Sequence, residues 1–132
     1  MIKPLTYLCV ADNSGANFVQ CIHIIGSSKK KGYAELGDRV VVSVKSTRKI
    51  LGRDRSAGVR KGSVMKGVIV RTKMRRSSAC LGSFPHSSFD ENAIVLLSAK
   101  GGVYGSRIFG PVASYPLRKK KELKILSLAA VV

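Results

Sequence analysis

Between two apolar stretches, Val10 to Ala16 read VADNSGA and set an Asp, an Asn, a Ser and a Gly side by side. Such a cluster suits a metal loop, a phosphate loop or a tight turn. A phosphate loop needs Gly-Lys-Ser/Thr after its glycine, and an EF-hand needs further acidic ligands at alternating positions; Ala16, Asn17 and Phe18 follow instead. The flanking runs LTYLCV and FVQCIHII are rich in β-branched and aromatic side chains, so the cluster reads as the turn between two antiparallel strands.

The other reactive side chains assemble no site. Cys9, Cys21 and Cys80 are odd in number, lie 12 and 59 residues apart and include no CxxC pair, which argues against a disulfide framework. His23 and His86 stand at no finger or ribbon spacing from a cysteine pair, so no metal is expected and the thiols read as buried and reduced. Neither histidine is arranged with a nucleophile, and Asp90 and Glu91 would point to opposite faces of an extended segment; they read as a polar turn ahead of NAIVLL. The sequence predicts no enzyme, no cofactor and no small-molecule substrate.

Charge is the stronger signal. The 132 residues hold 24 Lys and Arg against 7 Asp and Glu, a formal charge of +17. A compact body so charged repels itself unless a polyanion lies against it. Because 45% of the residues are hydrophobic, the charge belongs to a folded core and not to a disordered basic tail. Of these cations, 16 fall between Lys29 and Arg76, where only Glu35, Asp38 and Asp54 oppose them. They gather where the β pattern stops: Lys29, Lys30 and Lys31; then Arg48, Lys49, Arg53, Arg55, Arg60 and Lys61; then Arg71, Lys73, Arg75 and Arg76. Basic loops on a rigid body can follow a phosphate backbone. Tyr and Phe number 4 each and there is no Trp, so backbone and shape contacts to folded RNA are favoured over base stacking.

The elements that must carry these loops are short strands. In RVVVSVK, Val40, Val42 and Val44 point one way while Arg39, Val41, Ser43 and Lys45 point the other. SVMKGVIVR and NAIVLL are two further strands, and Val42 and Val68 are expected to be buried. Five strands separated by glycine-containing turns predict a mainly β protein: a small five-stranded closed barrel with projecting basic loops and a short helical C-terminal piece. Pro116 is expected to open a helix through PLRKKKEL, and ELKILSLAAV to form a second helix whose Leu123, Leu126 and Ala130 pack on the barrel. The length fits one domain over 1–132, with the barrel at about 1–112 and the helical segment at about 113–132. The N-terminal run Leu5 to Ala11 is too weak for a secretory signal, and no stretch approaches the roughly 18 apolar residues of a membrane span. A soluble, intracellular-type protein with no membrane partner is expected, made where it works or shown without its presequence.

Seven blocks, VADNSGA, CIHIIG, LGDRVVVSVK, KGSVMKGVIVRTK, FDENAIVLL, GSRIFGPV and LKILSLA, run in the same order as those of large-subunit ribosomal protein fourteen, which the chain resembles almost end to end. VIVRTK and RIFGPV are similar to the bacterial and organellar branch, and LRKKKELKILSLA to its mitochondrial members. The resemblance implies a structural constituent of the large ribosomal subunit with a five-stranded barrel and no enzymatic activity. Its partners would be large-subunit rRNA, small-subunit rRNA across an intersubunit bridge, neighbouring large-subunit proteins and a ribosome-silencing factor. The docking surface carried over from the family includes Ser106, Arg107 and Lys124. It also implies that Gly15 takes φ > 0 and that Asp12 and Asn13 hydrogen-bond the loop backbone. The compartment it implies is the mitochondrial matrix, ahead of the bacterial cytoplasm or another organelle. The chain departs from the family at Cys80-Leu81-Gly82 with its longer SFPHSS approach, and in a loop, Ser46 to Gly58, that looks extended. The rival reading from the residues is a free-standing OB-type module that binds single-stranded nucleic acid.

Overall fold

The structure is a computed structural model, and it describes residues 2–26, 32–48, 59–73 and 88–132. Five strands, β1 (Tyr7–Val10), β2 (Ala16–Ile24), β3 (Arg39–Thr47), β4 (Val64–Arg71) and β5 (Ala93–Leu97), close a barrel in that order. Consecutive strands pair antiparallel, and the closing seam is parallel, with Cys9 opposite Ala93 and Val10 opposite Ile94. The barrel expected from the sequence is the one observed.

Strand β3 follows its alternation: Val40, Val42 and Val44 are fully buried, while Arg39 and Lys45 are exposed. With Leu8, Val19, Cys21, Ile69, Ile94 and Leu96 these valines fill the interior, as a barrel of this size requires. Strands β4 and β5 behave differently, because their apolar runs do not alternate. Ile69, Ile94 and Leu96 face inward, whereas Val68, Val70, Ala93, Val95 and Leu97 join a second cluster with Ile108, Val112, Leu117 and Ile125. Val68 is therefore buried, as expected, but in this outer cluster.

The outer cluster is closed by β6 (Pro111–Val112), α1 (Ser114–Lys119), α2 (Leu123–Leu128) and β7 (Ala130–Val131), with β6 and β7 paired in parallel. Helix α1 begins two residues before Pro116, which stays in the first turn where its missing N–H is tolerated. It ends before Lys121, whose φ of 61° turns the chain. The packing face expected of α2 needs correction. Leu126 packs on the outer cluster as expected, but Leu123 is 64% exposed and Ala130 lies exposed in β7; Glu122 and Ile125 are buried instead, with Ala129 packed beside them. Pairing with β6 ends the helix at Leu128, and Arg39 Nε donates to Glu122 Oε1 at 2.6 Å, drawing Glu122 inward and shifting the buried face. A second ion pair, Asp38 with Lys120, ties the turn between the helices to the start of β3.

Candidate nucleic-acid and partner interface

The VADNSGA segment is a turn, and its hydrogen bonds show why those residue types stand there. Asp12, almost fully buried, accepts the Ser14 N–H at Oδ1 (2.9 Å) and the Leu96 N–H at Oδ2 (2.7 Å). Both oxygens thus serve backbone donors, and one of them fastens the turn to β5. Gly15 takes φ 92°, in the region the resemblance implies. Asn13 departs from that expectation, since its side chain reaches residues 106 and 107 in a separate loop.

Strand register sorts the loops between the two ends of the barrel. Ala16 lies opposite Thr47, Ser43 opposite Val64, and Lys66 opposite Leu97, so the exits of β1, β3 and β5 share one end with the VADNSGA turn. Arg48 stands there, its N–H donating to Gly15 O at 2.8 Å, and so does the turn bearing Arg60 and Lys61, where Gly62 N–H donates to Val44 O at 2.7 Å. Ser106 and Arg107 abut the same turn, and Lys124 Nζ lies beside Gly102 in the turn that leaves β5. Lys73 leaves β4 at the opposite end. Arg48, Arg60, Lys61, Lys73, Ser106, Arg107 and Lys124 are all exposed. Lys29, Lys30, Lys31, Lys49, Arg53, Arg55, Arg75 and Arg76 lie outside the described residues, as do Cys80, His86 and the 77–87 stretch. Lys45, on the outward face of β3 as expected, and Lys66 add exposed cations along the barrel wall.

Arg71 is the correction within the basic set. Its side chain is 8% exposed; Nη1 donates to the carbonyls of Phe109 (2.8 Å) and Pro111 (3.2 Å), and Nη2 pairs with Glu91 Oε1 at 2.7 Å. A guanidinium so occupied holds the segment after β5 against the end of β4 and is not presented to a phosphate. Glu91, read from the sequence as part of a polar turn, thereby anchors a buried cation. It also lies against Cys9, which is only half-buried; burial first, and then the Glu91 charge, pushes that thiol's pKa up. Burial alone raises the pKa of Cys21 inside the barrel. Among the described residues no group of three His, Cys, Asp or Glu side chains is placed to hold a metal, and no helix is long and apolar enough to cross a membrane.

A family model described as ribosomal protein L14p/L23e matches residues 1–132, the whole chain. The chain belongs to this family. It is a structural protein of the large ribosomal subunit, from a family that is generally structural rather than enzymatic and that implies binding to rRNA and ribosomal proteins.

For an L14p/L23e protein the use of acidic residues is informative. Asp12 is taken up by backbone N–H groups, Asp38 by Lys120 and the Glu35 N–H, Glu91 by Arg71, and Glu122 by Arg39. Most of the described carboxylates therefore hold the fold together. Arg48, Arg60, Lys61, Lys73, Arg107 and Lys124 enter no ion pair with described residues.

Proposed function

We propose that the chain is anchored on large-subunit rRNA through its loop cations and contributes, through Ser106, Arg107 and Lys124, to an intersubunit bridge with small-subunit RNA. In this reading the same edge is where a ribosome-silencing factor docks, and neighbouring large-subunit proteins pack alongside. The chain acts as one domain, a barrel over about 1–112 with a helical segment over about 113–132. The family's bacterial and organellar branch, and within it the mitochondrial matrix, is favoured by the wording of VIVRTK, RIFGPV and LRKKKELKILSLA.

The observation that carries this reading is the set of exposed cations without carboxylate partners among the described residues, on a barrel most of whose described carboxylates are used within the fold. The anchoring set is Arg48, Arg60, Lys61 and Lys73 together with Lys29, Lys30, Lys31, Lys49, Arg53, Arg55, Arg75 and Arg76; Arg71 is excluded by its burial. Each phosphate neutralised releases condensed counterions, so log affinity for an rRNA fragment falls linearly with log salt, by about 0.7 to 0.9 per phosphate contacted. A filter-binding titration measures the slope. Several contacts give a steep line, and a slope near zero would contradict electrostatic anchoring.

A further inference from the structure

Asn13 makes three hydrogen bonds to the loop that presents Ser106 and Arg107. Its Nδ2 donates to Ser106 Oγ at 3.0 Å, its Oδ1 accepts the Arg107 N–H at 3.1 Å, and its own N–H donates to Arg107 O at 3.3 Å. The turn itself does not need this side chain, because Asp12 already satisfies the Ser14 and Leu96 N–H groups and Ala11 O accepts from Phe109 N–H at 2.7 Å. The approach is close. A Cβ at Gly105 would stand 2.7 Å from Asn13 Oδ1 and 2.9 Å from Asp12 Cβ, so only glycine lets the two loops come together. Beyond Arg107, Asp12 bridges to Ile108, and Arg71 holds the Phe109 and Pro111 carbonyls. The loop is thus fixed on its C-terminal side by groups buried in the fold, while its exposed pair is held by Asn13.

We propose that Asn13 is a positioning residue for the docking edge, setting Ser106 and Arg107 in the conformation that a partner meets. The inference rests on the reading of Ser106, Arg107 and Lys124 as that edge. Ordering these residues before contact removes an entropy cost from association, and it fixes the direction of an exposed guanidinium that has no carboxylate partner among the described residues. A side chain whose two polar atoms both serve a distant exposed loop contributes to presentation more than to the stability of its own turn.

The test uses full-length chains assembled into large subunits: Asn13→Ala, Asn13→Asp, Arg107→Glu, and Asn13→Ala combined with Arg107→Glu. Hydrogen exchange of the Arg107 amide in the free protein, occupancy on purified large subunits, and monosome yield after adding small subunits are measured for each. Asn13→Ala is expected to keep the parent's occupancy, to speed Arg107 exchange by about fivefold or more as the amide loses its acceptor, and to lower monosome yield with no further loss in the combined variant. Asn13→Asp keeps an acceptor for both the Arg107 N–H and the Ser106 hydroxyl, so it retains slow exchange. Parent-level monosome yield with Asn13→Ala, or losses that add in full in the combined variant, overturns the positioning role alone. Absence of Asn13→Ala from large subunits while Asn13→Asp is retained also overturns it, because Asn13 would then serve the fold or the RNA contact. Parent-level yield with Arg107→Glu overturns the docking reading and the positioning role with it.

Discussion

Strands β2 and β3 line the barrel with alternate side chains and leave the others to solvent, with Phe18 and Ile22 41% and 47% exposed, whereas β4 and β5 bury Val68, Ile69 and Val70 in succession. The first half of the wall is one layer thick. The second is sealed outside by Leu117 and Ile125 from the C-terminal helices and by Ile108 and Val112. The difference separates two sets of exposed cations. Arg48, Arg60 and Lys61 sit where the chain leaves β3 and enters β4, beyond the sealing layer, while Arg107 and Lys124 are carried by the layer itself. Burial that stabilises the second half therefore also positions Arg107 and Lys124.

The contrast is broken most sharply by a charge on each side of the wall. Val42→Asp and Val68→Asp each place an unpaired carboxylate among apolar side chains, at a cost of several kcal/mol, and are expected to abolish folding. Ile22→Asp, on the open face, is expected to shift stability by only about 0.5 kcal/mol. Urea unfolding followed by circular dichroism separates them; equal tolerance of Val68→Asp and Ile22→Asp would mean that β4 has no covered outer face. Ile125→Ala comes next, opening a cavity under α2 at a cost of about 2–5 kcal/mol in the same assay. Arg71→Met removes bonds to the Phe109 and Pro111 carbonyls but leaves Glu91 about half exposed, so about 1–3 kcal/mol is expected.

The smallest effect is a pH dependence. Burial raises the thiol pKa of Cys21, so the folded chain keeps its proton where the unfolded chain, near the ordinary thiol value of 9.0, begins to lose it. The contribution is fully present below that unfolded value and is lost as pH rises through it toward the folded one. A Cys21→Ala variant should accordingly lose less stability than the parent between neutral and alkaline pH. Identical slopes in urea midpoint against pH would remove the buried thiol from the interior.

What the sequence made legible follows from these two halves. In β3 one valine face against a polar face specifies a strand, its phase and its buried residues. An uninterrupted run such as AIVLL signals burial on both sides, yet it does not say what covers the outer face. Leu123 and Ala130 keep helical spacing with Leu126 on paper, yet only Leu126 packs; the strand pairing of Ala130–Val131 and the pull of Arg39 on Glu122 are long-range effects that no local pattern carries. Arg71 is a similar case. It sits in a basic run, and only its place at the end of the buried VIV segment, opposite the Glu91-Asn92-Ala93 approach to β5, hinted that it would turn inward. From the sequence Asn13 is expected to serve its own loop, since the 93 positions to Ser106 are closed only by the fold.

The proposed division of labour between anchoring and joining is tested most directly by two variants measured on the same particles. Arg48, Arg60 and Lys61 replaced together by Ser remove three exposed cations at little cost to folding, and Arg107→Glu with Lys124→Glu reverses the charge of the edge. Occupancy on purified large subunits and monosome yield on adding small subunits are read for each. The Ser variant should lose occupancy, whereas the Glu variant should stay on the large subunit and lose monosomes. A Glu variant missing from large subunits, beside a Ser variant that assembles normally, would contradict the assignment.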